Sequence, residues 1–370
     1  MRVFLVELET IEPVAIASKK GKTSFIEGLN YIPASSIVGA IARVCVLNNL
    51  RNSIGNCKNL EDTKRTPDCG TCPENCLYRK IWVEKRFKVT NAVIGKWDYE
   101  KPGIVGLQSI GEQRSGKRDK KDLLIFLFLE RMFWLGKLKR IEFLNVFEQL
   151  KEEGFKKKAS DFDGQSFRSA KVVQITRTSV GEKLRTSKEG ELYGFTAIAE
   201  AQNLRFMAIG DEELEEVFKG EIKVGSWRSR GMGLVRLRLV NSAGYQDFVE
   251  KRSLAIRKGI ERISELIAEF GLEGYFATYT YLTDGTKLPN SEFSITRLRR
   301  LVRYERVEKE SNFILTDTIS TGSAGVLKVE EPEKVSRDLA ESELRLYNRP
   351  WFDWVFFNHP VHYEFSVLRR

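Results

Sequence analysis

The order in which strand-like and helix-like patterns follow one another limits the fold of this chain more than any other feature. Short β-prone runs alternate with periodic apolar stretches typical of helices. The predicted elements of the first 243 residues are strand 3–9, helix 35–47, strands 171–177 and 203–209, helix 211–218 and strand 234–239. Strand, helix, strand, strand, helix, strand is the order of a ferredoxin-like unit.

A second pattern of this kind begins near residue 245. A helical stretch at 248–270 precedes β-prone segments at 275–282 and 312–319, and a Gly-containing turn at 322–325 leads into another. With 370 residues, 42% of them hydrophobic, the chain can form two cores. We therefore predict an α+β fold with two RRM-like (ferredoxin-like) domains, residues 1–243 and a more divergent 244–370.

Two insertions interrupt the first predicted domain. One, at about residues 105–160, is helical because apolar residues recur at helical spacing between 123 and 150. The other, at about residues 51–80, contains four of the five cysteines, Cys57, Cys69, Cys72 and Cys76. Four thiolates so close together can bind one zinc ion, and a four-cysteine shell is structural because it leaves no open position. The alternative is free thiols on a loop. Cys45 lies on an apolar helix face and is predicted to be inert.

The charge balance favours a polyanionic partner. Lys and Arg number 61 against 51 Asp and Glu, which gives a net charge of +10. Nucleic acid is the first candidate and an anionic membrane surface the second. The longest apolar run, 123–129, is too short to span a bilayer, and charges follow the N-terminus too closely for an export signal. These features predict a cytoplasmic protein without a membrane partner.

A Gly/Arg loop at residues 225–233 (GSWRSRGMG) is the most informative local motif. Glycines allow close backbone approach, guanidinium groups suit phosphates, and an indole offers a stacking surface. The candidate RNA-binding residues are Gly225, Trp227, Arg228, Arg230, Gly231 and Gly233. The loop precedes a strand and lacks the order of a P-loop, which disfavours a nucleotide cofactor. The alternative is a hairpin turn with its arginines in solvent.

Catalytic signals are weak. The only histidines, His359 and His362, lie close to the C-terminus, and no hydrolase or metalloprotease motif is present. Asp161 and Asp163 form an acidic pair that we expect to lie in an exposed polar loop.

Three segments resemble the RAMP superfamily of CRISPR-associated proteins. Residues 31–43 (YIPASSIVGAIAR) resemble its IPGSSLKGALR signature, and residues 225–233 resemble its Gly-rich loop. The stretch from 177 to 193 is similar to a hairpin thumb beside the guide RNA. The resemblance implies RNA contacts from these segments, at Ser35, Ser36, Arg43, Arg177, Lys183 and Arg185.

Members of that superfamily bind guide RNA (crRNA) within antiviral multisubunit complexes. Segment 12–31 lacks the aspartate of the target-cleaving subunits, and the first half lacks the histidine common in guide-processing nucleases. The resemblance therefore implies a non-catalytic subunit that holds the 5′ end of the guide in a type III complex, most similar to type III-D. Its partners would be the backbone RAMP proteins and the large subunit. Two alternatives remain: a metal-dependent RAMP endoribonuclease, and a zinc-stabilised interaction protein without an RNA role.

Overall fold

The computed structural model describes residues 1–17, 25–51, 74, 76–113, 119–138, 141–180, 187–307, 310–346 and 350–369. The helices in these ranges are α1 (Ala34–Arg51), α2 (Leu77–Trp82), α3 (Leu124–Trp134), α4 (Ile141–Glu153), α5 (Leu214–Val217), α6 (Tyr245–Ala268), α7 (Pro332–Glu343) and α8 (Val361–Glu364).

The strands are short in the middle of the chain and long at the two hairpins. In chain order they are β1 (Arg2–Thr10), β2 (Phe25–Ile26), β3 (Lys88–Val89), β4 (Val93–Ile94), β5 (Ile104–Leu107), β6 (Ile110–Gln113), β7 (Lys120–Asp122), β8 (Phe155–Lys157), β9 (Ser160–Phe162), β10 (Val172–Val180), β11 (Ser187–Ile198), β12 (Asn203–Gly210), β13 (Glu221–Lys223), β14 (Leu234–Gly244), β15 (Tyr275–Tyr281), β16 (Phe293–Ile295), β17 (Leu298–Val307), β18 (Glu310–Ile319), β19 (Ala324–Val329) and β20 (Val355–Phe357). The predicted α+β class is confirmed.

The chain divides into two compact units. Unit 1 consists of residues 1–96, 169–243 and 346–351. Unit 2 consists of residues 97–168, 244–345 and 352–370. The helical insertion predicted at about 105–160 thus lies in unit 2.

The main sheet of unit 1 has the order β13-β14-β1-β12-β3, and β4 also pairs with β12. Strands β1 and β12 are antiparallel, with Arg2 opposite Gly210 and Glu9 opposite Asn203. Because side chains alternate along a strand, Phe4, Val6 and Leu8 share one face and pack in the core that includes Ile37 and Ile41 of α1. This packing fixes α1 against the sheet.

The strand predicted at 171–177 lies outside the main sheet of unit 1. It begins β10, which pairs with β11 in a separate sheet, and β11 pairs in parallel with β2. The edge of the main sheet is instead β3, a two-residue strand opposite Ala208 and Ile209 of β12. A strand of two residues is too short to give an alternating sequence pattern.

The main sheet of unit 2 has the order β16-β19-β15-β20. Helix α6 packs against β15 and α7, and the ribbon β17–β18 connects β16 to β19. Helices α3 and α4 pack through aromatic rings, with Phe126 stacked on Phe143 at a centroid distance of 5.8 Å.

A buried polar cluster lies in the core of unit 2. The side chain of His362 contacts Thr280 Oγ1 at 2.6 Å through Nε2 and Asp122 Oδ2 at 3.2 Å through Nδ1. His359 lies next to it, with Nε2 2.8 Å from the carbonyl oxygen of Pro102 and Nδ1 accepting the backbone N–H of Val361 at 3.1 Å. Both histidines are fully buried.

We expect His359 to make stability depend on pH. Burial, followed by the neighbouring His362, holds the pKa of His359 well below its usual value near 6.5. Below about pH 6.5 the unfolded chain therefore binds a proton at this ring that the folded chain does not, and each pH unit costs up to about 1.4 kcal/mol. This contribution to stability is present above pH 6.5 and is lost as the pH falls towards the folded-state pKa.

Urea unfolding at pH 7.5, 6.5 and 5.5 checks this expectation. The His359→Gln variant cannot titrate at this position, so its free energy of unfolding should fall less steeply with acid than that of the parent chain. Equal slopes for the two proteins between pH 6.5 and pH 5.5 would show that His359 does not set the dependence.

Candidate nucleic-acid interface

The Gly/Arg loop closes against the segment that follows β1. The backbone N–H of Ser226 donates to the carbonyl oxygen of Ala15 at 2.8 Å, and that of Gly233 donates to the carbonyl oxygen of Pro13 at 3.0 Å. The Glu12 carboxylate accepts the backbone N–H of Leu234 at 3.0 Å, across 222 residues of sequence. Both ends of the loop are therefore fixed by a segment that is distant in sequence and adjacent in the fold.

The three glycines of the loop have different structural roles. Each has a positive φ, at 83° for Gly225, 71° for Gly231 and 83° for Gly233. A Cβ at Gly225 would lie 2.5 Å from the Ala15 carbonyl oxygen, and one at Gly233 would lie 2.2 Å from the Val224 carbonyl oxygen. A Cβ at Gly231 would meet nothing within 4 Å. Gly225 and Gly233 thus permit close approach within the protein, and Gly231 alone faces open space.

This difference predicts unequal effects of alanine. We expect Gly231→Ala to lower the free energy of unfolding by about 1–2 kcal/mol, since the only penalty is the left-handed backbone. Gly233→Ala should be clearly more destabilising because its Cβ also collides with a backbone carbonyl. Urea denaturation measures the free energy of unfolding of the two variants. Equal losses would mean that the backbone around residue 233 shifts to accommodate the added Cβ at no cost in stability.

Trp227 joins the Gly/Arg loop to the β10–β11 hairpin. Its ring stacks on Phe195 of β11 with centroids 5.4 Å apart and planes 3° from parallel. The guanidinium carbons of Arg230 and Arg177 lie over the same ring at 5.1 and 5.6 Å from its centroid. Arg177 also donates to the carbonyl oxygen of Arg230 at 3.3 Å. The indole therefore positions the guanidinium groups of Arg177 and Arg230. Sequence analysis offered the Trp227 ring as a stacking surface for RNA bases, but in this structure the ring contacts Phe195 and the two arginines.

A cavity of about 770 Å³ lies between the Gly/Arg loop and α1. Its basic lining residues are Arg43 of α1, Lys223 of β13 and Arg228 of the loop. Lys223 donates from Nζ to the Arg228 carbonyl oxygen at 3.0 Å, which fixes the path of the loop. One carboxylate, Glu221, also lines the cavity, and it is paired with Arg236 at 3.0 Å. The one carboxylate in the cavity lining therefore already has a cationic partner, Arg236, which does not line the cavity.

The structure places most of the predicted RNA-binding residues of unit 1 in this region. Gly225, Trp227 and Arg228 line the cavity with Arg43, and Arg177 and Arg230 meet at Trp227. Ser35 is exposed and Ser36 half-buried in the first turn of α1, and neither lines the cavity. Lys183 and Arg185 lie outside the described residues.

Sequence analysis missed two residues of this site. Lys223 lies two residues before the loop, where its charge could have indicated a role. Phe195 gave no such signal, because the ring it packs against lies 32 residues further along the chain.

The structure describes one of the four predicted zinc ligands. Cys57, Cys69 and Cys72 lie outside the described residues, whereas Cys76 is buried directly before α2. Within the part of the chain that the structure describes, no group of three or more His, Cys, Asp or Glu side chains is placed to bind a metal. Cys45 is buried, as its position on an apolar helix face predicts, and burial, with a smaller effect from Cys76, raises the pKa of its thiol to about 12.

The weak catalytic candidates are held inside the protein. Neither histidine has surface exposure, so neither can reach an RNA strand in this structure. Asp163, expected in an exposed loop, is buried and accepts the backbone N–H groups of Gln165 and Ser166 at 2.9 and 2.7 Å. Asp161 Oδ1 accepts the N–H of Gly106 at 2.8 Å. The Asp163 contacts stabilise a turn, and the Asp161 contact joins β9 to β5.

Searches for similar proteins give structural neighbours only. No protein-family model matches the sequence, and no curated protein does. A chain in the cryo-EM structure of the type III-B Cmr-beta bound to cognate target RNA and AMPPnP is 13% identical, with a TM-score of 0.42 over 93% of this chain and 90% of that chain.

Two further neighbours are more distant. A chain from the apo state of type III-B Cmr-beta is 12% identical, with a TM-score of 0.32 over 65% of this chain and 97% of that one. A chain of a type IV-B CRISPR complex is 9% identical, with a TM-score of 0.31 over 65% and 90%. All three structures are of CRISPR complexes. Since every TM-score is below 0.5, the function has to be argued from the residues of the site.

No membrane-spanning segment is found in the described ranges, because none of their helices combines the necessary length and apolar character.

Proposed function

We propose that this chain is a guide-RNA-binding subunit of a type III CRISPR interference complex and that it holds the RNA without cleaving it. The observation that carries the proposal is the convergence of three segments with RAMP resemblance. Residues of α1, the Gly/Arg loop and the β10–β11 hairpin meet around one basic cavity and one tryptophan. RNA phosphates are the ligands that such a group of guanidinium and ammonium groups fits best.

The charges of the site are available for a ligand. Among the described residues of unit 1, the arginines with a carboxylate partner are Arg2, Arg79, Arg86, Arg205, Arg236 and Arg238. Arg228 and Arg230 do not belong to this set. The Trp227 ring positions the guanidinium of Arg230, and Arg228 lines the cavity. Within the described part of the chain neither guanidinium is paired with a carboxylate, which suits phosphate binding.

The strand orders support two RRM-like units. In an RRM-like sheet the fourth strand of the unit lies beside the first, the first beside the third, and the third beside the second. Unit 1 has these neighbours in the order β14-β1-β12-β3. In unit 2 the order β20-β15-β19-β16 is the same. The second unit departs from the usual connection because α6 precedes β15 instead of following it.

We assign the 5′ end of the guide as the bound segment, with Lys183 and Arg185 of the hairpin and Ser35 and Ser36 of α1 as further contacts. The test uses the purified chain and two guide RNAs with one common sequence and the repeat-derived tag at either the 5′ or the 3′ end. Tighter binding of the 5′-tagged RNA, and no cleavage with or without Mg²⁺, is the expected result. Specific Mg²⁺-dependent cleavage that one acidic substitution abolishes would instead establish the endoribonuclease.

A structural zinc ion held by Cys57, Cys69, Cys72 and Cys76 is part of the proposal. The four-thiol donor set fits zinc, and the buried position of Cys76 suits a thiolate whose charge a metal neutralises. Elemental analysis should find about one zinc per chain in the parent protein and none in Cys69→Ser with Cys72→Ser. Equal metal content in the two proteins would contradict the zinc site.

A further inference from the structure

A groove in unit 2 is lined by apolar and acidic residues, whereas the chain as a whole is basic. It has a volume of about 630 Å³ and lies between α4, the end of α6 and residues 367–369. Its apolar lining consists of Val146, Leu150, Leu266, Phe270, Val367 and Leu368. Neither the buried histidine cluster nor the basic cavity of unit 1 contributes a residue to this groove.

The rim of the groove is acidic. Three carboxylates line it, from Glu142, Glu153 and Glu269, and one guanidinium, from Arg369. The local balance is therefore negative in a chain whose net charge is +10. The carboxylates repel phosphates, so RNA and an anionic membrane are unsuitable occupants of this groove.

Helix α4 lines the groove with one face. Its lining residues Glu142, Val146, Gln149 and Glu153 recur at helical spacing, and Phe143 is its fully buried side chain. An apolar groove with a polar rim is typical of a protein-binding surface.

We propose that this groove binds a basic amphipathic helix of another protein. Its apolar face would cover Val146, Leu266 and Phe270, and its Lys or Arg side chains would meet the carboxylates of Glu142 and Glu153. This is the helix-in-groove mode of recognition, in which apolar anchors give affinity and complementary charges give orientation and specificity. The inference does not depend on RNA binding by unit 1.

The test uses a fluorescein-labelled 15-residue peptide with Leu at helical spacing and Lys elsewhere, and the full-length protein. Two comparison peptides have Glu for every Lys, or Asn for every Leu. Fluorescence anisotropy should show binding of the Leu/Lys peptide and at least about tenfold weaker binding of the other two. Equal binding of the Leu/Lys and Asn/Lys peptides would indicate charge attraction alone and would overturn the proposal, as would no binding of any peptide.

Matched variants locate the peptide on the protein. Glu142→Lys with Glu153→Lys reverses two rim charges and should weaken binding about tenfold, whereas Glu148→Lys with Glu152→Lys makes the same change on α4 outside the groove lining. The control should remain within threefold of the parent chain, and thermal melts should be unchanged in both. Equal effects of the two pairs would contradict the assignment.

Discussion

Replacing Glu343 by Gln is expected to lower the free energy of unfolding by about 3–5 kcal/mol, because it leaves a buried guanidinium without its counter-charge. Arg252 and Glu343 are 4% and 1% exposed and form two parallel hydrogen bonds of 2.8 and 2.9 Å. Glu343 Oε1 also accepts the backbone N–H of Phe357 at 2.7 Å. The pair thus connects α6, α7 and β20.

A variant of the same helix provides the control. Glu341→Gln removes an exposed carboxylate that pairs with Arg337 at 3.3 Å, and we expect a change below about 1 kcal/mol. Combining Arg252→Met with Glu343→Leu removes both charges and should restore much of the stability, since apolar replacement of a buried pair is often neutral. Urea denaturation measures the free energy of unfolding of Glu343→Gln, of Glu341→Gln and of the double variant. Equal destabilisation by Glu343→Gln and Glu341→Gln would mean that the buried charge is not destabilising.

Removing Arg228 and Arg230 together is expected to weaken RNA binding about tenfold at 0.15 M salt, because the variant cannot neutralise two phosphates or release their counterions. Both side chains belong to a loop whose backbone is fixed by the segment after β1, so folding should be spared. The matched control is Arg257→Ala with Arg337→Ala, which removes two exposed guanidinium groups from α6 and α7. Fluorescence anisotropy with single-stranded guide RNA, beside thermal melts, gives both values.

The elements that sequence analysis predicted well are those with their own periodicity. Predicted helix 248–270 corresponds to α6 (Tyr245–Ala268), and predicted strand 203–209 to β12 (Asn203–Gly210). In both, apolar side chains recur at the spacing of the element because one face packs against a core. The turn at Gly225 and Gly233 could also be predicted, since both positions need a backbone that other residues rarely adopt.

What sequence analysis could not predict depends on contacts between distant residues. Helix α1 begins at Ala34, one residue before the predicted start, and the N–H of Ala34 donates to Asn91 Oδ1 at 2.9 Å. The partner of Trp227 is likewise a ring from another strand. No local propensity encodes either contact, because tertiary packing selects among the partners that the sequence offers.

The salt dependence of RNA binding tests the central claim most directly. If Arg228 and Arg230 each neutralise one phosphate, the slope of log K against log salt concentration for the double alanine variant should be smaller by roughly 1.4 than that of the parent chain, since each neutralised phosphate adds about 0.7 to the slope for single strands. The Arg257/Arg337 control should keep the slope of the parent chain. An unchanged slope in the Arg228/Arg230 variant, with folding intact, would mean that the loop is a structural turn and would contradict the proposed RNA site.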